Sequence, residues 1–125
     1  MRVSKSFVIN QLPAFLAAAV LFILSSIPHP PPVILHVSHE DLIMHAIAYG
    51  ALGFFVARAL YHQNRYGRLR KNLLLFTFLI GTIYGISDEI HQYFVPGRIT
   101  DMLDVLADSA GTLIGFFVFK FLGKN

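Results

Sequence analysis

Four apolar stretches, at about residues 7–27, 42–60, 73–94 and 102–122, each approach the roughly 20 residues with which an α-helix crosses about 30 Å of hydrocarbon. Of the 125 residues 55% are hydrophobic and 14% charged, too little polar surface to cover a water-soluble domain of this size. The spacing therefore predicts an all-α fold, a single bundle of four transmembrane helices over residues 1–125. Short connections predict that consecutive helices run antiparallel. Pro28-His29-Pro30-Pro31-Pro32 reads as a stiff extended connector, because proline lacks an N–H donor and restricts the residue before it. His62 to Lys71 reads as a basic loop and Pro96-Gly97-Arg98 as a turn. The exit Ser25-Ser26-Ile27-Pro28 lacks small residues at the positions a signal peptidase needs, so the first stretch is expected to remain as a helix.

Lysines and arginines flanking short loops are held on the cytoplasmic side. Arg2 and Lys5, then Arg58, Arg65, Arg68, Arg70 and Lys71, and finally Lys120 and Lys124 all fall on one side of a four-span chain. Both termini are accordingly expected in the cytoplasm, in a multi-pass membrane protein. The net charge of +3 then reflects topology, and no nucleic-acid partner is expected. With no cysteine, disulfides, thiolate zinc sites and a cysteine nucleophile are excluded.

The opposite side receives Glu40, Asp41, Asp88, Glu89, Asp101, Asp104 and Asp108, which are all seven acids, with Arg98 as the single Lys or Arg placed among them. The positive-inside rule counts cations and largely ignores carboxylates, so this segregation is independent support for a polar site at the outer face. Helical spacing gathers the groups into stripes. Asp41, His45 and Tyr49 share one on the second span; Tyr84, Asp88, Glu89 and Gln92 fall in one sector of the third; Asp101, Asp104 and Asp108 line the fourth. Gly81/Gly85 and Gly111/Gly115 continue the last two stripes deeper, where small residues four apart let helix backbones approach closely.

Carboxylates at membrane depth cost about 2.5–3.5 kcal/mol each at the bilayer centre, and several on facing helices repel. Such a cluster calls for protons, for His45 or Arg98, or for a bound cation. Two kinds of chemistry stay open. In a binding protein Arg98 would grip an anionic headgroup, with Gln92, Tyr49 and Tyr84 beside it. In a hydrolase or transferase Asp88 or Glu89 would be general base, and His45 a proton shuttle oriented by Asp41. Asp88, Glu89, Asp104 and Asp108 form the candidate ligand set for a divalent cation, and all-oxygen ligation favours Mg²⁺ or Ca²⁺. A proton- or cation-coupled transporter would require an oligomer, four spans being few for alternating access. Asp101, Asp104 and Asp41 also suit helix starts, where carboxylates cap free N–H groups. His91 lies off the acidic sector and reads as interfacial, while His29, His36 and His39 read as loop residues.

Asp41-Leu42-Ile43-Met44-His45 with Tyr49, Tyr84-Gly85, Asp88-Glu89-Ile90-His91-Gln92-Tyr93-Phe94, Pro96-Gly97-Arg98, Asp101, Asp104, Gly111 and Gly115 together resemble the VanZ-like family of bacterial membrane proteins, from about Ser25 onward. Two positions depart from the family's usual pattern: Leu42 stands where lysine is usual and Asp108 where asparagine is usual. The resemblance implies a place in the cell envelope, since the family is named for a protein associated with resistance to teicoplanin, a glycopeptide antibiotic. It attaches no reaction, and leaves a membrane lipid or lipid-linked cell-wall component as the expected partner.

Overall fold

The computed structural model of the chain describes residues 4–28, 40–98 and 100–123, and of Glu40 and Asp41 it describes the backbone. The described residues are helical, with no strand among them. Helix α1 spans Lys5–Ser25, α2 Glu40–His62, α3 Gly67–Lys71, α4 Leu73–Tyr93 and α5 Met102–Val118, and α5 ends in a widened turn over Phe119–Gly123. Four of these are long and apolar enough to cross a membrane: α1, α2 from Leu42, α4, and α5 with its terminal turn. They match the four predicted spans to within two residues at every end. The one local difference is α3, a single short helix inside the stretch read as a basic loop. The proline-rich connector, apart from Pro28, lies outside the described residues, as do His29, His36 and His39.

Side-chain exposure is inverted relative to a water-soluble bundle. Phe15 and Ile23 on α1, Ile83 and Ile90 on α4, and Leu106 and Ile114 on α5 are all exposed, while Asp88, Glu89, Asp104 and Asp108 are buried. Water would select the reverse arrangement; lipid selects this one. Helix α1 is the loosest member, burying only Leu21 and Ser25. Polar contacts fasten it along its length: Gln11 donates to the Ala59 carbonyl at 2.8 Å, the Tyr84 hydroxyl to the Ala18 carbonyl, and Arg98 Nη2 to the Leu24 carbonyl at 3.1 Å.

The most extensive helix contact joins α2 to α5, which are not neighbours in sequence. In an up-down chain of four spans the second and fourth run parallel, and the pairing shows it: Gly111 faces the Ala46 backbone, and Gly115, one turn on, faces that of Gly50. A Cβ at Gly111 would stand 2.8 Å from the Ala46 Cα, and one at Gly53 the same from the Thr112 Cα. Only glycine fits where backbone meets backbone this closely. Gly81 and Gly85 on α4 have a different role, receiving the side chains of Thr112 and Asp108. The glycine stripes read from the sequence are thus contact surfaces, and Gly50 and Gly53 on α2 complete them.

Candidate functional site

Parallel packing of α2 and α5 puts their N-terminal turns at the same end of the bundle, where the C-terminal turns of α4 and the end of α1 also arrive. His45, in the second turn of α2, is met by Asp108, in the second turn of α5: Nδ1 lies 2.7 Å from Oδ1. The other ring nitrogen, Nε2, faces Asp104 Oδ2 at 3.7 Å. Asp104 and Asp108 are four apart on one helix face, so a single imidazole meets both carboxylates with its two edges. Glu89 closes the group from α4, and ligand atoms of His45, Glu89 and Asp104 all lie within 4.8 Å of one another. Asp108 is fully buried and Glu89 is 8% exposed.

The hydrogen bonds of this cluster are incomplete. Glu89 Oε2 accepts the backbone N–H of Asp101 at 3.1 Å, while Oε1 is buried with no partner, and so is Asp108 Oδ2. Neither Asp88 nor Glu89 is in an ion pair with a cation among the described residues. Buried carboxylate oxygens left in this state are costly unless a proton or a cation reaches them.

The residues singled out in the sequence separate in space. Asp88 and Glu89, adjacent on α4, point about 100° apart. Glu89 turns toward α5, and Asp88 toward Tyr49 and Tyr84, close enough to interact with both phenols. Tyr49 of α2 is buried against Leu21 of α1 and Tyr84 of α4, and its hydroxyl makes no hydrogen bond of full geometry despite the Asp88 neighbour. The Tyr84 hydroxyl is occupied by the Ala18 carbonyl. Gln92 is buried on the same helix. Asp101 caps α5, its Oδ1 accepting the Leu103 N–H at 2.9 Å, and is itself exposed. His91 stacks on Phe22 and bonds Ser26 at 2.9 Å, away from the acids.

The geometry bears on two expectations. The orienting role given to Asp41 falls on a side chain outside the described residues; among those described, Asp108 is the carboxylate against His45 Nδ1. Arg98 does not pair with an acid among the described residues; it turns to the Leu24 carbonyl at the end of α1 and holds that helix to the turn after α4. Gly97 in that turn has φ 81°, the left-handed region open to glycine. Of the four acids expected as cation ligands, Glu89 and Asp104 converge with His45, while Asp108 stands behind His45 and Asp88 faces the phenols. His45 as the hub was the part least visible in the sequence, and the signal available was the four-residue spacing of Asp104 and Asp108, which fits the two edges of one imidazole.

Beside Glu89 a cleft of about 380 Å³ runs between the end of α4 and the start of α5, walled by Ile90, Tyr93, Phe94 and Met102. Phe94 and Met102 are each about three-quarters exposed, so the cleft opens sideways on the apolar surface of the bundle.

Comparison with curated proteins and with solved structures returns no match. The family profile described as VanZ/LLP1 matches residues 10–123, from the first turns of α1 to the end of α5. With nearly the whole chain covered, every element that builds the cluster included, this protein belongs to the VanZ/LLP1 family.

Proposed function

We propose that this protein binds a membrane lipid or lipid-linked cell-wall component in the outer leaflet of the bacterial cytoplasmic membrane, at a site that faces away from the cytosol. The observation that carries the reading is the adjacency of the lipid-facing cleft to the buried cluster: Glu89 belongs to both. An apolar chain entering sideways between Phe94 and Met102 brings its headgroup to the polar end of α4 and α5. The segregation of basic residues to the other end supports the outward orientation. A protein that holds or alters an outer-leaflet precursor also suits the family's association with glycopeptide resistance, which teicoplanin susceptibility of a host expressing the chain tests directly.

A catalytic version is favoured by one feature. Asp108 fixes the ring and tautomer of His45, the arrangement by which a carboxylate prepares an imidazole for proton transfer, and leaves Nε2 turned toward the cluster. In this version His45 moves a proton to or from the headgroup, and Asp108 positions it.

The test is co-purification from nanodiscs containing phosphatidylglycerol and a polyprenyl phosphate, followed by native mass spectrometry. Wild type is expected to retain an anionic lipid, and Met102→Trp, which fills the cleft, to lose it. Arg98→Ala is expected to retain less, both because a guanidinium is lost and because the end of α1 is released. Lipid retained equally by all three proteins would overturn the proposal. Turnover of the labelled lipid by wild type, abolished in His45→Ala, would select the catalytic version.

A further inference from the structure

We infer that His45 Nε2, Glu89 and Asp104 form a binding site for one divalent transition-metal ion, with Asp108 as the outer partner that orients the imidazole. The separation of His45 Nε2 from Asp104 Oδ2, 3.7 Å, is too long for a hydrogen bond. Two ligands held at about 2.1 Å from a common tetrahedral ion stand about 3.4 Å apart, close to what is found. With Nδ1–H given to Asp108, Nε2 carries a lone pair. Lone pair and carboxylate oxygen face each other at that separation, and Glu89 adds a third ligand atom within 4.8 Å.

A second observation, independent of that spacing, also asks for a ligand. Glu89 is more than nine-tenths buried, and its Oε1 has no partner. Its other oxygen is fixed by the Asp101 N–H, so the carboxylate is held in place while half of its acceptor capacity goes unused. Asp108 supplies what metal-bound histidines characteristically have, a carboxylate on the far ring nitrogen that sets the tautomer and raises ligand basicity.

The imidazole decides the class of ion. All-oxygen sites suit Mg²⁺ and Ca²⁺, whereas one nitrogen with two carboxylates suits Zn²⁺ or Mn²⁺. Three protein ligands leave a coordination position for water or a headgroup oxygen. Occupation by a headgroup rests on the lipid reading above; ion binding does not, and titration with the ion alone separates the two.

The experiment uses the full chain, stripped of metal, in detergent micelles, titrated with ZnCl₂ against a chromophoric chelator, with metal content measured after dialysis. One Zn²⁺ per chain is expected, bound more tightly than Mg²⁺ or Ca²⁺. His45→Ala, Glu89→Gln and Asp104→Asn are each expected to weaken binding at least about tenfold, and Asp108→Asn by about 10–100-fold. Gly67→Ala, at the far end of the bundle and with nothing within 4 Å of the added methyl, should bind as wild type. Failure to bind Zn²⁺ at millimolar concentration, or His45→Ala binding as well as wild type, would overturn the site. Should the variants fold poorly by circular dichroism, pulsed electron paramagnetic resonance of Mn²⁺ in wild type gives the answer without them: modulation from an imidazole nitrogen supports the site, and its absence removes it.

Discussion

Gly111→Ala places one methyl where the backbones of α2 and α5 touch. Its Cβ would meet the Ala46 carbonyl oxygen, and would stand 2.8 Å from the Ala46 Cα and 2.9 Å from its carbonyl carbon. Backbone cannot rotate aside as a side chain can, so ordinary contact near 3.4 Å requires the helices to part locally by at least about 0.6 Å, and overpacking on this scale costs about 1–3 kcal/mol. The displacement falls on the site, because Ala46 follows His45 and Gly111 lies one turn after Asp108. A hydrogen bond of 2.7 Å lengthened by that amount reaches about 3.3 Å, beyond the usual N–H···O range. The variant is therefore expected to unfold at a lower mole fraction of SDS than wild type and to bind Zn²⁺ more weakly. Gly67→Ala is the matched control, since its Cβ meets nothing within 4 Å and alanine favours the helix by up to about 1 kcal/mol. If Gly111→Ala unfolds with wild type while Gly67→Ala behaves as expected, the close approach of α2 and α5 is wrong, and so is its role in holding His45 against Asp108.

Thr77 is fully buried with its hydroxyl unpartnered, so Thr77→Val is expected to raise stability by about 1 kcal/mol, seen as a shift of the SDS unfolding midpoint to higher detergent; a shift to lower detergent would show that the hydroxyl has a partner. Single cysteines at Ser87, near the site, and at Asn64, near the basic end, are expected to react differently with a membrane-impermeant maleimide on whole cells, Ser87→Cys being labelled and Asn64→Cys protected; the reverse pattern would invert the proposed topology. Asp108→Asn keeps an acceptor for His45 Nδ1 while removing the charge, and Asp108→Ala removes both, so Zn²⁺ affinity should fall in the order wild type, Asn, Ala; equal affinities would deny Asp108 its orienting role.

The spans and the one-sided acids were legible because each follows from a local rule: length of an apolar run, or the sign of flanking charge. The glycine stripes were legible as small residues four apart, but not what each would touch. Gly81 and Gly85 receive side chains, whereas Gly111 and Gly115 receive backbone, a distinction set by which helix lies opposite. The contact of His45 with Asp108 was not legible for the same reason. Asp41 fits the helical spacing to His45, and a sequence displays that spacing, whereas Asp108 lies 63 residues away and meets it only because α2 and α5 run parallel in contact. Arg98 was expected among the acids because it is the single Lys or Arg on their side of a four-span chain. In space the carbonyl of Leu24 is available to it, since the last carbonyls of a helix lack intrahelical donors.

Parallel pairing also accounts for how so many carboxylates are tolerated at one end of the bundle. Each helix carries a partial positive charge at its N-terminus, within about the first turn. Antiparallel partners would cancel that field, but α2 and α5 start side by side and their fields add. Asp101 and Asp104 occupy the cap and first turn of α5, where the field is strongest. Asp108 lies a turn deeper and depends on His45 instead. Glu89 arrives near the C-terminal end of α4, where the helix dipole has the opposite sign, and Asp101 contributes one N–H to it. Of the four buried acids among the described residues, Asp88 and Glu89 are therefore the two whose charge the helix termini serve least, and Glu89 is the one of them with an unpartnered oxygen beside an imidazole. That unpartnered Glu89 oxygen belongs to the residue at which His45, Glu89 and Asp104 converge, which is why a cation there would stabilise the fold as well as equip the site.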